Sequence, residues 1–182
     1  MEENIIRATY DSPCGQLVLC SYKGKLYLCE WTMSKTVDLA QQRLAKTLKA
    51  EIVDGTSPVI TLAQKQLREY FLRQRRSFSV PYKLMGTDFQ KMVWSSLANI
   101  HYGRTISYGE QARRLGMPKS ARVVANADGA NPLSILLPCH RVVGSDKRLT
   151  GYGGGLDAKR YLLDLEQGGL KLKASAQSSR KE

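Results

Sequence analysis

Histidine is nearly missing from this chain of 182 residues: His101 and His140 are the only two. Because none precedes position 101, a zinc site around Cys14, Cys20 and Cys29 would lack the partners it needs, and these cysteines read as strand-filling side chains. With Cys139 they make four cysteines at no regular spacing, so four free thiols are expected rather than two disulfides. No apolar run approaches the ~20 residues of a membrane-spanning helix. The start, Met1-Glu2-Glu3-Asn4, lacks the basic-then-apolar order of a secretory signal. The expectation is a cytoplasmic protein (nuclear in a eukaryote) with no membrane attachment, in surroundings that keep thiols reduced. Acidic residues are also a minority. Sixteen Asp and Glu face 28 Lys and Arg, a net charge of +12, which favours a polyanionic partner such as nucleic acid. That charge divides as +5 over residues 1–85, +4 over 86–170 and +3 over 171–182, so it predicts salt-sensitive attraction without locating a binding face.

What is present falls into two halves. Asn4–Tyr10, Gln16–Tyr22 and Lys25–Trp31 are short, rich in Ile, Val, Leu, Tyr and Trp, and separated by turn-forming Ser12-Pro13-Cys14-Gly15 and Lys23-Gly24. They read as an antiparallel sheet. Val37, Ala40, Leu44 and Leu48 recur at helical spacing, as do Val59, Ala63, Leu67, Tyr70 and Phe71. No catalytic constellation is visible in this half. The second half is helical: Thr87 with Gln90 has the capping-box pattern, and Ser107 with Glu110 repeats it. A helix ending at Gly116 and a third from about Lys119 to Asp128 flank Gly116-Met117-Pro118, which matches a helix-turn-helix. The third helix carries small Ala121, Ala125 and Ala127 with one long cation, Arg122. Its small face permits close approach to a shallow or narrow groove, or equally a tightly packed core.

Ser134-Ile135-Leu136-Leu137 reads as a short buried strand that delivers Pro138-Cys139-His140-Arg141-Val142-Val143-Gly144. Only ~3 % of an ordinary thiol is ionised at pH 7, and an adjacent imidazole is a common way to raise that fraction. Cys139 is thus a candidate nucleophile, or a buried structural cysteine beside a chance histidine. The glycine-rich Leu149–Gly155 loop lacks the Lys-Ser/Thr of a nucleotide-binding P-loop, so a pocket wall with backbone donors fits better. Asp157 is expected to cap a last helix, Ala158–Gln167. Its Glu166 either faces solvent or turns inward to pair with His140. Residues 171–182 read as a disordered tail.

Gly86-Thr87-Asp88-Phe89-Gln90, Val93-Trp94, Tyr102-Gly103, Ser107-Tyr108-Gly109-Glu110, Ala121-Arg122, Asn131-Pro132, the Pro138–Gly144 run, Gly151-Tyr152 and Lys159…Leu162-Leu163…Glu166 occur in one order and spacing over residues 86–168. Together they resemble the O6-alkylguanine-DNA alkyltransferases. The resemblance implies an α/β (α+β) fold: a ribonuclease-H-like domain over 1–85, with an antiparallel sheet and helices, then a helical winged-helix/helix-turn-helix domain over 86–170. It implies an enzyme, a monomer without cofactor or metal, that binds duplex DNA and flips out O6-alkylguanine, and also O4-alkylthymine. The alkyl group then moves irreversibly to Cys139, once per chain. His140, Glu166, Asn131 and Tyr108 would be catalytic. Arg122 would fill the gap left by the base, with Ala121 and Ala125 facing DNA. Val142, Ser145, Tyr152 and Gly153 would contact the substrate.

The chain also departs from the family. His101 stands where proline is usual, Ala125 replaces a common glycine, and Asp128 is expected to place negative charge near the DNA-facing surface. Gly153 stands where some relatives have serine, which predicts a roomier alkyl pocket. Three other readings compete. A non-catalytic module that recognises alkylated bases and recruits repair proteins would have no use for Cys139. A Cys-His-Glu hydrolase leaves Tyr108 and Arg122 without roles, and a larger transcription-activating sensor would need a four-cysteine zinc segment.

Overall fold

Alternation along the first strands decides how the sheet is covered. In the computed structural model, which describes residues 3–146 and 149–181 (169–181 as backbone only), β1 (Ile5–Ser12), β2 (Gly15–Tyr22) and β3 (Lys25–Trp31) form an antiparallel meander. Lys23 and Gly24 both hold positive φ, 47° and 77°, at the two-residue hairpin between β2 and β3. That geometry matches the right-handed twist of the strands it joins. Leu17 and Leu19 of β2 enter one apolar cluster while Val18 and Cys20 enter another. Both faces of the central strand are therefore buried. One face packs on α2 (Pro58–Phe71), capped by the Ser57 hydroxyl, and the other on α1 (Val37–Leu48). The sheet order is β3-β2-β1-β4, where β4 (Ile52–Asp54) pairs parallel with β1. At three residues β4 leaves no alternation in the sequence, so this parallel edge was not anticipated.

The capping box at Thr87 is complete. Its hydroxyl accepts from the Gln90 N–H at 3.1 Å while the Gln90 side chain accepts from the Thr87 N–H at 3.0 Å, starting α3 (Asp88–Leu97). β5 (Ile106–Ser107) leads into α4 (Tyr108–Arg114), which closes on Gly116 at φ 75°. α5 (Ala121–Gly129) follows, and Val93, Ala112, Val124 and Ala127 bind α3, α4 and α5 into one cluster. The helix-turn-helix is thus in place, with α5 beginning slightly later than the sequence suggests.

Two expectations fail. Residues 134–137 form no strand but a tight turn, with the β-branched Ile135 held at φ 72°. The side chain of Asn131 sets it by accepting from the Leu133 N–H at 3.0 Å and donating to the Leu137 carbonyl at 2.8 Å. The same stretch binds the edge of β3, since the Cys29 N–H donates to the Pro132 carbonyl and the Ser134 N–H to the Cys29 carbonyl, both at 2.8 Å. A short 3-10 turn (Cys139–Arg141) and β6 (Val142–Val143), parallel to β5, complete the reactive segment. Secondly, α6 (Leu156–Lys181) starts before Asp157, so Asp157 sits in its first turn rather than at the cap. There a carboxylate still favours the helix N-terminus. Gly168 is non-helical and divides α6. The expectation of a disordered tail over residues 171–182 lies outside the described side chains.

The largest apolar cluster draws on both halves, joining Leu19, Trp31 and Tyr70 to Trp94, Leu133, Val142 and Leu162. The reactive segment is therefore seated on the N-terminal sheet. No described helix is long and apolar enough to cross a membrane.

Candidate active site

Cys139 opens the 3-10 turn with only 8 % of its surface exposed, against a cavity of about 40 Å³ that Glu30, Ala125, Asp128, Asn131, Ser134, Tyr152 and Gly153 also line. Burial pushes its thiol up to about 12; the Asn131 side chain and Lys159 pull the other way, Asp128 and Glu30 add to the rise. The resting sulfur is protonated at neutral pH, so the adjacent imidazole does not raise its ionised fraction in the resting protein.

His140 adds no positive charge to offset that burial. Its ring is fully buried, and burial, with Arg141 and Lys159 nearby, lowers its pKa against the opposing pull of Glu166, so the imidazole is neutral at pH 7. A carboxylate can only accept hydrogen bonds. The 2.7 Å contact between Nε2 and Glu166 Oε2 therefore fixes the proton on Nε2 and leaves the lone pair on Nδ1. Among the described residues Nδ1 has no hydrogen-bond partner. Glu166 does not face solvent. Besides His140 it accepts from the Tyr70 hydroxyl at 2.6 Å, from Arg141 at 2.8 and 3.0 Å, and from the Gly103 N–H at 3.3 Å. Burial alone would push this carboxyl up, but His140 and Arg141 outweigh it and hold Glu166 well below the usual carboxylate range. Arg141 also donates to the Ile100 carbonyl at 2.6 Å.

Tyr108, at the start of α4, hydrogen-bonds the Thr150 hydroxyl at 2.9 Å. Lys159 is fully buried; its ammonium lies 5.8 Å from the centre of the Tyr108 ring and donates to the Thr150 carbonyl at 3.4 Å. Arg122 is exposed on the first turn of α5, where Ala121 is half-buried. Ala125, one turn on, reaches the Cys139 cavity. Val142 is fully buried, leaving only its main chain for recognition, and Ser145 is exposed outside the cavity. Tyr152 and Gly153 line the cavity, with the Tyr152 ring edge-on to Trp31 at 5.8 Å between centroids. Among the described residues no cluster of three or more His, Cys, Asp or Glu could hold a metal ion.

Two expectations are corrected here. Asp128 puts no charge on the DNA-facing surface: it is 4 % exposed, accepts from the Gln111 side chain at 3.1 Å, and burial raises its carboxyl to about 7. Nor is the pocket roomy. A Cβ on Gly153 would come within 3.2 Å of Glu30 Oε1, so Glu30 fills the space gained by the missing side chain. Sequence reasoning also missed Tyr70, Ser134, Arg141 and Lys159. Arg141 and Lys159 both lay inside the motifs that carry the resemblance, and that placement was a signal that could have been read.

Asp128 carries a pH prediction. Its folded pKa lies above the ~3.9 of an unfolded aspartate. The folded state then holds the extra proton, so this contribution is full below pH ~4 and is lost as pH rises through about 7. Asp128→Asn should melt higher than the parent at pH 8, by an amount on the order of 1–3 kcal/mol, and the gap should shrink at pH 5. Melting curves at the two pH values check this.

Comparison with known proteins places this geometry. The family described as 6-O-methylguanine DNA methyltransferase, DNA binding domain, matches residues 88–168. A methylated-DNA–protein-cysteine methyltransferase of Methanosarcina acetivorans is 49 % identical over 162 residues, covering 87 % of this chain and 96 % of that one. The chain belongs to the methylated-DNA–protein-cysteine methyltransferase family. Within it, the relative so named from Mycobacterium tuberculosis is 51 % identical over 105 residues, 58 % of this chain and 64 % of its own length, so that match spans less than two thirds of the relative. The crystal structure of the M. tuberculosis family member OGT in complex with DNA has a TM-score of 0.76 at 39 % identity, covering 89 % of this chain and 92 % of that one. The mixed α/β architecture is that of the family.

Proposed function

We propose that this chain is a single-turnover DNA repair enzyme that takes the alkyl group from O6-alkylguanine, and from O4-alkylthymine, in duplex DNA onto Cys139. One observation carries the reading: a thiol lining a small cavity, next in sequence to a neutral histidine whose only lone pair, on Nδ1, is unclaimed among the described residues. The M. tuberculosis relative is described in complex with DNA, which supports a duplex as partner.

Arg122, exposed on α5, would occupy the gap left by the rotated base. The thiol proton passes to His140 Nδ1, relayed by a water between the two side chains. The sulfur pair attacks the alkyl carbon in line with the O6–carbon bond, a sulfur–carbon bond forms, and the O6–carbon pair departs with the purine. Tyr108 donates its hydroxyl proton toward the leaving guanine, and Thr150 positions that hydroxyl. Glu166 holds His140 in the required tautomer and stabilises the imidazolium that forms. No residue of the cavity is suited to cleave the thioether, so each chain reacts once.

The reading is tested with duplex DNA labelled in the O6-methyl group. Movement of the label onto the protein supports it; tight binding with all label left on DNA supports instead a recruiting module. Arg122→Ala separates flipping from chemistry. Flipping costs a few kcal/mol, so losing the finger should slow repair of duplex DNA about 10–100-fold, with reaction of the free base O6-methylguanine within two-fold of the parent. An equal fall in both would contradict the finger role.

A further inference from the structure

The cavity beside Cys139 has a wall contributed by the N-terminal sheet. β3 brings Glu30 there with 7 % of its surface exposed. Its Oε1 is held by the Trp31 main-chain N–H at 3.0 Å and by the Ser134 hydroxyl at 3.3 Å, so the side chain is fixed from both its own strand and the reactive segment. The glycine loop opposite is pressed against the same two residues. A Cβ on Gly153 would stand 3.2 Å from Glu30 Oε1, and one on Gly154 would stand 2.6 Å from the Trp31 indole. The slot of about 40 Å³ is therefore bounded by loop backbone on one side and by the Glu30 carboxyl on another. A methyl group is close in size to a water molecule, which needs some 10–15 Å³ of such space, whereas a benzene ring occupies a cavity of about 150 Å³.

We propose that Glu30 is a specificity-determining residue that limits the alkyl group presented to Cys139 to methyl-sized substituents and excludes benzyl-sized ones. This rests on the transfer reaction proposed above. The limit is one of volume. The carboxyl occupies the space in which an aryl ring would extend beyond the reacting carbon, and shortening Glu30 would open that space. Burial also raises the Glu30 carboxyl to about 7, as expected of a group with no cation among its described hydrogen-bond partners. An apolar ring pressed against it would add desolvation to the steric clash.

Rate constants for the parent, Glu30→Ala and Glu30→Gln, on duplexes carrying O6-methylguanine or O6-benzylguanine, decide the matter. Glu30→Ala should raise the benzyl-to-methyl rate ratio ten-fold or more, while Glu30→Gln, equal in size, should leave the ratio within two-fold. Glu30→Asp withdraws the carboxyl by one methylene and should give an intermediate rise, which serves if the alanine variant does not fold. An unchanged ratio in a shortened variant that melts like the parent overturns the inference, as does a rise in Glu30→Gln equal to that in Glu30→Ala. Failure of the parent to transfer either group overturns the functional reading and this inference together. Transfer with an unaltered ratio overturns this inference alone.

Discussion

Cys139→Ser is expected to take up no alkyl group at all, even with a large excess of protein over lesion. The thiol already sits at about 12 and loses its proton only as the reaction proceeds. A hydroxyl is harder still to ionise, and the neutral His140 is no strong base with which to force it. Oxygen is also the poorer nucleophile toward a saturated carbon. DNA affinity should stay within two-fold of the parent, because Cys139 is 8 % exposed in its cavity and Arg122 and the face of α5 are untouched. Parallel binding and mass measurements on one preparation check both halves. Loss of binding along with transfer would mean that the site had collapsed, and retained transfer would remove Cys139 from the mechanism.

Glu166→Ala should cost both the reaction and much of the fold's stability. Its two oxygens accept from Tyr70 on α2, from His140 and Arg141 in the reactive turn, and from the Gly103 N–H before β5. One carboxylate thus ties three separated stretches to α6. Truncation leaves the Arg141 guanidinium, 7 % exposed, with the Ile100 carbonyl as its remaining acceptor. Breaking a buried ion pair from one side costs about 3–5 kcal/mol, a fall in melting temperature on the order of 10 °C for a chain of this size. Glu166→Gln keeps the volume and should melt between the two. It presents an amide N–H₂ to neighbours that are themselves donors, so His140 loses its tautomer and transfer falls far more than stability. Because His140 and Arg141 hold this carboxyl low, its support is complete above ~4.3, the unfolded value, and is lost only as pH falls through the folded one. Melting curves and transfer rates for both variants test the distinction. Equal losses of stability in Gln and Ala would make the charge, which both lack, the whole source and would contradict the intermediate melting expected of Gln.

What the sequence shows and what it hides divide along a physical line. Local signals carried through: the Thr87–Gln90 box, the positive-φ turns at Gly24 and Gly116, and the alternation that sends Leu17 and Val18 to opposite faces. Cys139 and His140 were legible because chemistry sits in adjacent residues, and Glu166 was legible as one of two alternatives that its burial resolves. Contacts made by folding were not. Ser134 meets Glu30 across 104 positions and Tyr70 meets Glu166 across 96, and neither partner has any local mark of function. The apolar run at 134–137 looked like a strand because composition cannot reveal that the Asn131 side chain takes the Leu133 N–H and the Leu137 carbonyl. Asp128 looked exposed because its concealment depends on Gln111 from the preceding helix.

The central claim is best tested by counting. Parent protein is titrated against an excess of duplex carrying O6-methylguanine, and intact mass and peptide mapping follow the product. The account predicts a plateau at one lesion repaired per chain, with a single methyl group on the peptide containing Cys139 and none on Cys14, Cys20 or Cys29. Continued release of repaired DNA beyond one equivalent, or a methyl group carried elsewhere while Cys139 stays free, would contradict it.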